Sequence, residues 1–122
     1  MMTCLKKIDH DPASPPESSK ALPGRLIAGD PSYLTWALDR SREGATDGPV
    51  RTGIWEATPG ETVSIKGDSF EFCHILSGRI ELTEDGQAPV TFRGGDSFIM
   101  KPGFRGVWKT LETVRKIYVI VG

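Results

Sequence analysis

At 122 residues and 13.3 kDa, with 38% hydrophobic and 25% charged side chains, the chain has the length of one compact domain and not of two. A formal net charge of −1 lacks the basic excess of a nucleic-acid binder, and no apolar run approaches the ~20 residues that cross a bilayer. Neither nucleic acid nor membrane is expected as a partner.

A domain of this length buries enough surface to fold without disulfides or a structural metal. The two cysteines have no framework spacing, since Cys4 lies in a polar stretch and Cys73 in an apolar one, where it reads as a buried free thiol. The first residues, MMTCLKKIDHDP, have no apolar region followed by a small-residue cleavage site. The expectation is a cytoplasmic chain. Charge is unevenly spread: residues 1–92 hold 9 Lys/Arg against 14 Asp/Glu, and residues 93–122 hold 6 against 2. The basic excess near the C-terminal strands leaves room for a small anionic ligand, or simply reflects solvated rims at Arg93, Lys101, Arg105 and Lys109.

Residues 1–23 include DPASPPESSKALPG, too poor in large apolar residues to bury itself, and are expected to form a leader, mobile or packed on a partner. The single domain is expected over residues 24–122. Arg25 to Leu38 offers one or two short strands, and the polar, glycine-containing stretch Asp39 to Pro49 reads as a long surface loop. From Arg51 onward, short alternating runs follow one another: RTGIWEA, TVSIK, SFEFCHIL, RIELT, PVTF, DSFIM, GVWKT and VRKIYVIV. Each has the length of a strand, and none that of a helix. Asp85-Gly86 is the best hairpin signal, while Gly67-Asp68, Ser77-Gly78 and Gly94-Gly95 mark further reversals. The pattern predicts an all-β closed or two-sheet barrel.

Order and spacing then match a family. WEATPGETVSIKGDSFEFCHILSGRIELTEDG and TFRGGDSFIMKPGFRGVWKTLETVRKIYVIVG resemble a small single-domain cupin, a double-stranded β-helix or jelly-roll barrel. The branch it resembles includes the ethanolamine-utilisation cupin and ureidoglycine aminohydrolase-like proteins. The resemblance covers residues 51–122, with weaker agreement from Arg25 on.

The family pattern implies a divalent transition metal held by three imidazoles and a carboxylate, ligand types suited to Fe, Ni, Mn or Zn. Here Gly60, Glu71 and Gly78 keep their places in the first motif, and Gly95-Asp96 and Gly103 keep theirs in the second. The positions around the first two imidazoles hold Ile65, Lys66, Gly67 and Asp68, and Gly106 stands where the third belongs. The chain's two histidines do not replace them: His10 is in the leader, and His74 falls on the opposite strand face from Glu71. The expectation is a site with no metal and no cofactor.

Period-2 alternation in SFEFCHIL puts Glu71, Cys73 and Ile75 on one face and Phe70, Phe72, His74 and Leu76 on the other. If the Glu71 face looks into the barrel, as in the family, its carboxylate is a ligand-binding or acid/base group or one half of a structural pair. Lys66 and Lys116 are its expected partners, and Tyr118 shares a face with Lys116. Trp55 and Trp108 read as core indoles or as walls of a pocket. The candidate site is therefore Trp55, Lys66, Glu71, Trp108, Lys116 and Tyr118. Its first reading is accessory or regulatory binding of a small polar or anionic metabolite. The alternative is a hydrolase, isomerase or aminohydrolase-like enzyme with Glu71 as acid or base. A third possibility is a structural domain with a plugged lumen. Small cupins pair through their sheets, so a homodimer is expected.

Overall fold

A computed structural model describes residues 4–122 and contains nine strands: β1 (Glu17–Lys20), β2 (Leu26–Gly29), β3 (Ser32–Ser41), β4 (Val50–Ala57), β5 (Gly60–Ile65), β6 (Phe70–Glu84), β7 (Val90–Arg93), β8 (Ser97–Met100) and β9 (Arg105–Val121). All pairings are antiparallel. Among the described residues no helix is long and apolar enough to cross a membrane.

Two strands organise the whole. β6 and β9 pair along nearly their full lengths, but the register shifts three times between Ile75 and Ile80. The first half of β6 joins β8 and the end of β9, which continues through β4 and β3 to β1. Its second half joins β7 and the start of β9, which continues through β5 to β2. Two sheets thus share two bent strands, as when a strand crosses from one sheet of a sandwich to the other at a bulge. Between them, Ile75, Ile80, Leu82, Met100, Trp108 and Val114 form the apolar core.

The expected boundary at Ser77-Gly78 is one of these bulges rather than a reversal, and SFEFCHIL and RIELT are one strand. Gly78 has φ +88°, and a Cβ on it would lie 2.2 Å from the Thr113 carbonyl oxygen, so only glycine lets β9 approach this closely. GVWKT and VRKIYVIV likewise merge into β9. Asp85-Gly86 does turn the β6–β7 hairpin, with Gln87 N–H donating to the Glu84 carbonyl at 2.9 Å.

Two irregular stretches carry more order than their composition suggests. Asp39, Arg40 and Ser41 extend β3 by pairing with Thr52, Arg51 and Val50, so the loop begins at Arg42. Within the stretch expected as a leader, β1 pairs with β3 although all four of its residues are exposed. Upstream of it, the Trp36 indole donates to the Ser14 carbonyl at 2.9 Å, and Arg115 donates to the His10 carbonyl at 2.9 Å. Hydrogen bonds and an edge pairing hold this segment to its own sheet where apolar burial does not. Its first three residues lie outside the described ones.

Candidate ligand-binding site

The inward faces of β4, β6 and β9 come into line through their registers. Cys73 stands opposite Tyr118 and Tyr118 opposite Gly53, while Ile75 stands opposite Lys116 and Lys116 opposite Trp55. Alternation on each strand therefore sends Glu71, Lys116, Tyr118 and Trp55 to one side. There they line a cavity of about 430 Å³ together with Lys66 and Trp108, so all six sequence-derived candidates meet in one space. Its size is that of a small-molecule pocket.

Glu71 is 2% exposed, and both of its oxygens are taken. Lys66 Nζ donates to Oε1 at 2.6 Å and Lys116 Nζ to Oε2 at 2.7 Å. The Cys73 thiol also donates to Oε2, at 3.1 Å. Burial alone would raise the Glu71 pKa, but the charges and hydrogen bonds of Lys116 and Lys66 outweigh it and hold the carboxyl at about 2. Burial pulls Lys116 down, yet the charge and hydrogen bond of Glu71 hold it above the ordinary lysine value. Burial also raises the Tyr118 hydroxyl, and it pushes the Cys73 thiol up to about 12 in spite of the nearby ammonium. Glu71 is thus an anion and Cys73 a neutral, inert thiol at neutral pH.

Lys116 is further enclosed by aromatic rings. Its Nζ lies 4.5 Å from the ring centres of both Trp55 and Trp108, whose planes meet edge to face at 5.5 Å. The two indoles belong to or pack against the core cluster and also line the cavity. Lys116 has its ammonium committed to Glu71 and the rings. Lys66, with 17% of its side chain exposed, has only one of its three N–H groups on Glu71.

The donor set does not fit the divalent metal of the wider fold family. Glu71 is the one carboxylate lining the cavity, and ammonium groups already occupy both its oxygens. His74 faces away, with Nδ1 2.7 Å from Ser97 Oγ, and a Cβ on Gly106 would fall 2.2 Å from the Thr83 carbonyl oxygen, leaving no room for an imidazole there. Among the described residues, no three His, Cys, Asp or Glu side chains converge.

Among the lining residues missed from sequence are Arg25, Tyr33 and Arg51. Arg51 shares strand parity with Trp55 and was accessible to the alternation argument. Tyr33 packs on Trp55 with ring centres 5.1 Å apart, a contact that only the β3–β4 register creates. Arg25 precedes β2 in an irregular segment with no periodic signal.

Barrel and pocket together define a cupin. Residues 44–118 match the model of the EutQ-like cupin domain, and the chain belongs to that family. It is similar to a protein of unknown function of the DUF861 family from Pseudomonas syringae pv. tomato, with 25% identity and a TM-score of 0.77 over 93% of this chain and 46% of the other. It is also similar to the Clostridium difficile EutQ protein, with 16% identity and a TM-score of 0.60 over 75% of this chain and 63% of the other. A DUF861 family protein from Thermotoga maritima shares 37% identity over 53% of this chain and 73% of its own, with a TM-score of 0.50. The chain therefore spans less than two thirds of the Pseudomonas and Clostridium proteins. No curated protein matches the sequence.

Proposed function

We propose that this cupin binds a small organic anion in its barrel without a metal, in an accessory or regulatory role in the cytoplasm. The observation that carries the reading is a carboxylate clamped by two lysines in a cavity whose other charged lining groups, Lys20, Arg25 and Arg51, are all basic. Lys66–Glu71–Lys116 bears a net charge of +1, and the spare N–H groups of Lys66 supply donors to a ligand oxygen. The indole faces that could cage a cationic ligand already hold Lys116, which disfavours amines.

Acid–base catalysis by Glu71 has less support. With its carboxyl held at about 2, the group is a weak base and has no proton to give at neutral pH. Two copies of the chain are further proposed to form a homodimer. Among the described residues the edge strand β2 pairs only with β5, and it exposes about half of Leu26 and Ile27, a surface suited to a second copy.

The test combines elemental analysis and native mass spectrometry of protein purified without chelator with thermal melts in the presence of small carboxylates and amines. A metal-free protein that carboxylates stabilise is the expected result. Stoichiometric transition metal, or stabilisation by amines alone, would overturn the reading.

A further inference from the structure

The two lysines are not the only basic groups that line the cavity. Arg51 projects from β4 on one sheet, and Arg25 comes from the segment that enters β2 on the other, its carbonyl accepting from Val63 N–H at 2.8 Å. Both are half-buried. Among the described residues neither has a side-chain carboxylate partner, and Arg51 Nη2 donates to the backbone oxygen of Gly122, the last residue, at 3.1 Å. Lys20, the remaining basic lining residue, is paired with Asp30.

Register separates the two sets of charge. Glu71 stands opposite Ile120, and Ile120 opposite Arg51, on three neighbouring strands. Strands ~4.8 Å apart put the Glu71 and Arg51 backbones roughly 10 Å from each other across the sheet. A ligand with one negative charge at Lys66 would leave the half-buried Arg25 guanidinium without a carboxylate and Arg51 with its single bond to Gly122. A second negative group at the far end of the ligand would satisfy them, and the planar guanidinium fork matches a carboxylate in a bidentate geometry.

We propose that the ligand is a small dianion with a charge at each end, a short dicarboxylate. One carboxylate is held by Lys66 and the other by Arg25 and Arg51. This rests on the anion-binding reading above and adds the two arginines as the groups that select a doubly charged ligand.

The test is calorimetric titration of the full chain at low salt with succinate, glutarate and adipate, the monocarboxylates of equal carbon number, and inorganic phosphate. At least one diacid is expected to bind about tenfold tighter than its monoacid, a difference of about 1.4 kcal/mol. Arg51→Gln and Arg25→Gln, checked for folding by circular dichroism, are each expected to cut that ratio to about threefold while leaving monoacid affinity within about twofold. Lys66→Gln is expected to weaken diacid and monoacid alike. Equal affinities for diacid and monoacid, or phosphate binding as tightly as the best diacid, overturn the dianion inference and leave anion binding standing. Failure of every anion to bind overturns both.

Discussion

Replacing Lys116 with Met removes the ammonium but keeps an unbranched stem of similar length against Trp55 and Trp108. Glu71 Oε2 then loses its 2.7 Å partner while the carboxylate stays 2% exposed, with Lys66 and the Cys73 thiol as its remaining donors. Removing one member of a buried ion pair costs about 3–5 kcal/mol, and the surviving Lys66 bond points to the lower end. The acid side gives an independent figure. The Glu71 carboxyl is held at about 2 against 4.5 for an unperturbed group. Its contribution is therefore complete above about pH 4.5 and is lost as the pH falls toward 2, and the difference corresponds to about 3 kcal/mol.

Urea melts of wild type and Lys116→Met at pH 7 and pH 3.5 check this. At pH 7 the variant is expected to be about 3 kcal/mol less stable, a drop in melting temperature on the order of 10 °C for a domain of this size. At pH 3.5 the gap is expected to narrow by about 1 kcal/mol, because wild type has begun to lose a contribution of which the variant keeps only the Lys66 share. Combining Lys116→Met with Glu71→Leu removes both charges and is expected to return stability to within about 1 kcal/mol of wild type. A gap at pH 7 below about 1 kcal/mol, or one that widens on acidification, would refute the claim that this pair is a coupled, buried unit.

Gly78→Ala is expected to cost about 2 kcal/mol or more in the same urea melts, because it combines a positive φ with a Cβ placed 2.2 Å from the Thr113 carbonyl; a change within about 0.5 kcal/mol would contradict the assignment of the bulge. Cys73 is fully buried with its thiol raised to about 12, so a thiol reagent is expected to label Cys4 alone in the native protein and both cysteines in urea. Two rapidly reacting thiols without denaturant would show that Cys73 is open to solvent. Light scattering at micromolar concentration is expected to give twice the 13.3 kDa of one chain, and a monomer mass would remove the proposed pairing.

Much of the site is legible locally because a strand repeats every two residues. Glu71 and Cys73 on one face with His74 on the other, and Lys116 with Tyr118, follow from alternation alone and match the burial along β6 and β9. Glycine was ambiguous. Asp85-Gly86 and Ser77-Gly78 look alike as dipeptides, yet one turns a hairpin and the other sits in a bulge within a continuous strand, since positive φ serves both. Polar composition also misled at Asp39–Ser41, where backbone pairing to β4 sustains a strand that side-chain burial does not signal.

The all-β class and the sorting of side chains onto two strand faces were encoded in short-range pattern, and the resemblance to the cupin family added which face looks inward and that the imidazole positions are lost. Tertiary structure decided what those residues do to one another. Glu71 and Lys116 are 45 positions apart and belong to different strands, and the register of β6 against β9 brings the carboxylate and ammonium to 2.7 Å. The same folding carries Arg25, in a segment without periodicity, into the wall of the same cavity as Arg51. Alternation specifies the direction of a side chain on its own strand, whereas distance and electrostatic coupling depend on how separate strands align and close. Those long-range choices turned an isolated acidic residue into a lysine-clamped anion within a basic pocket.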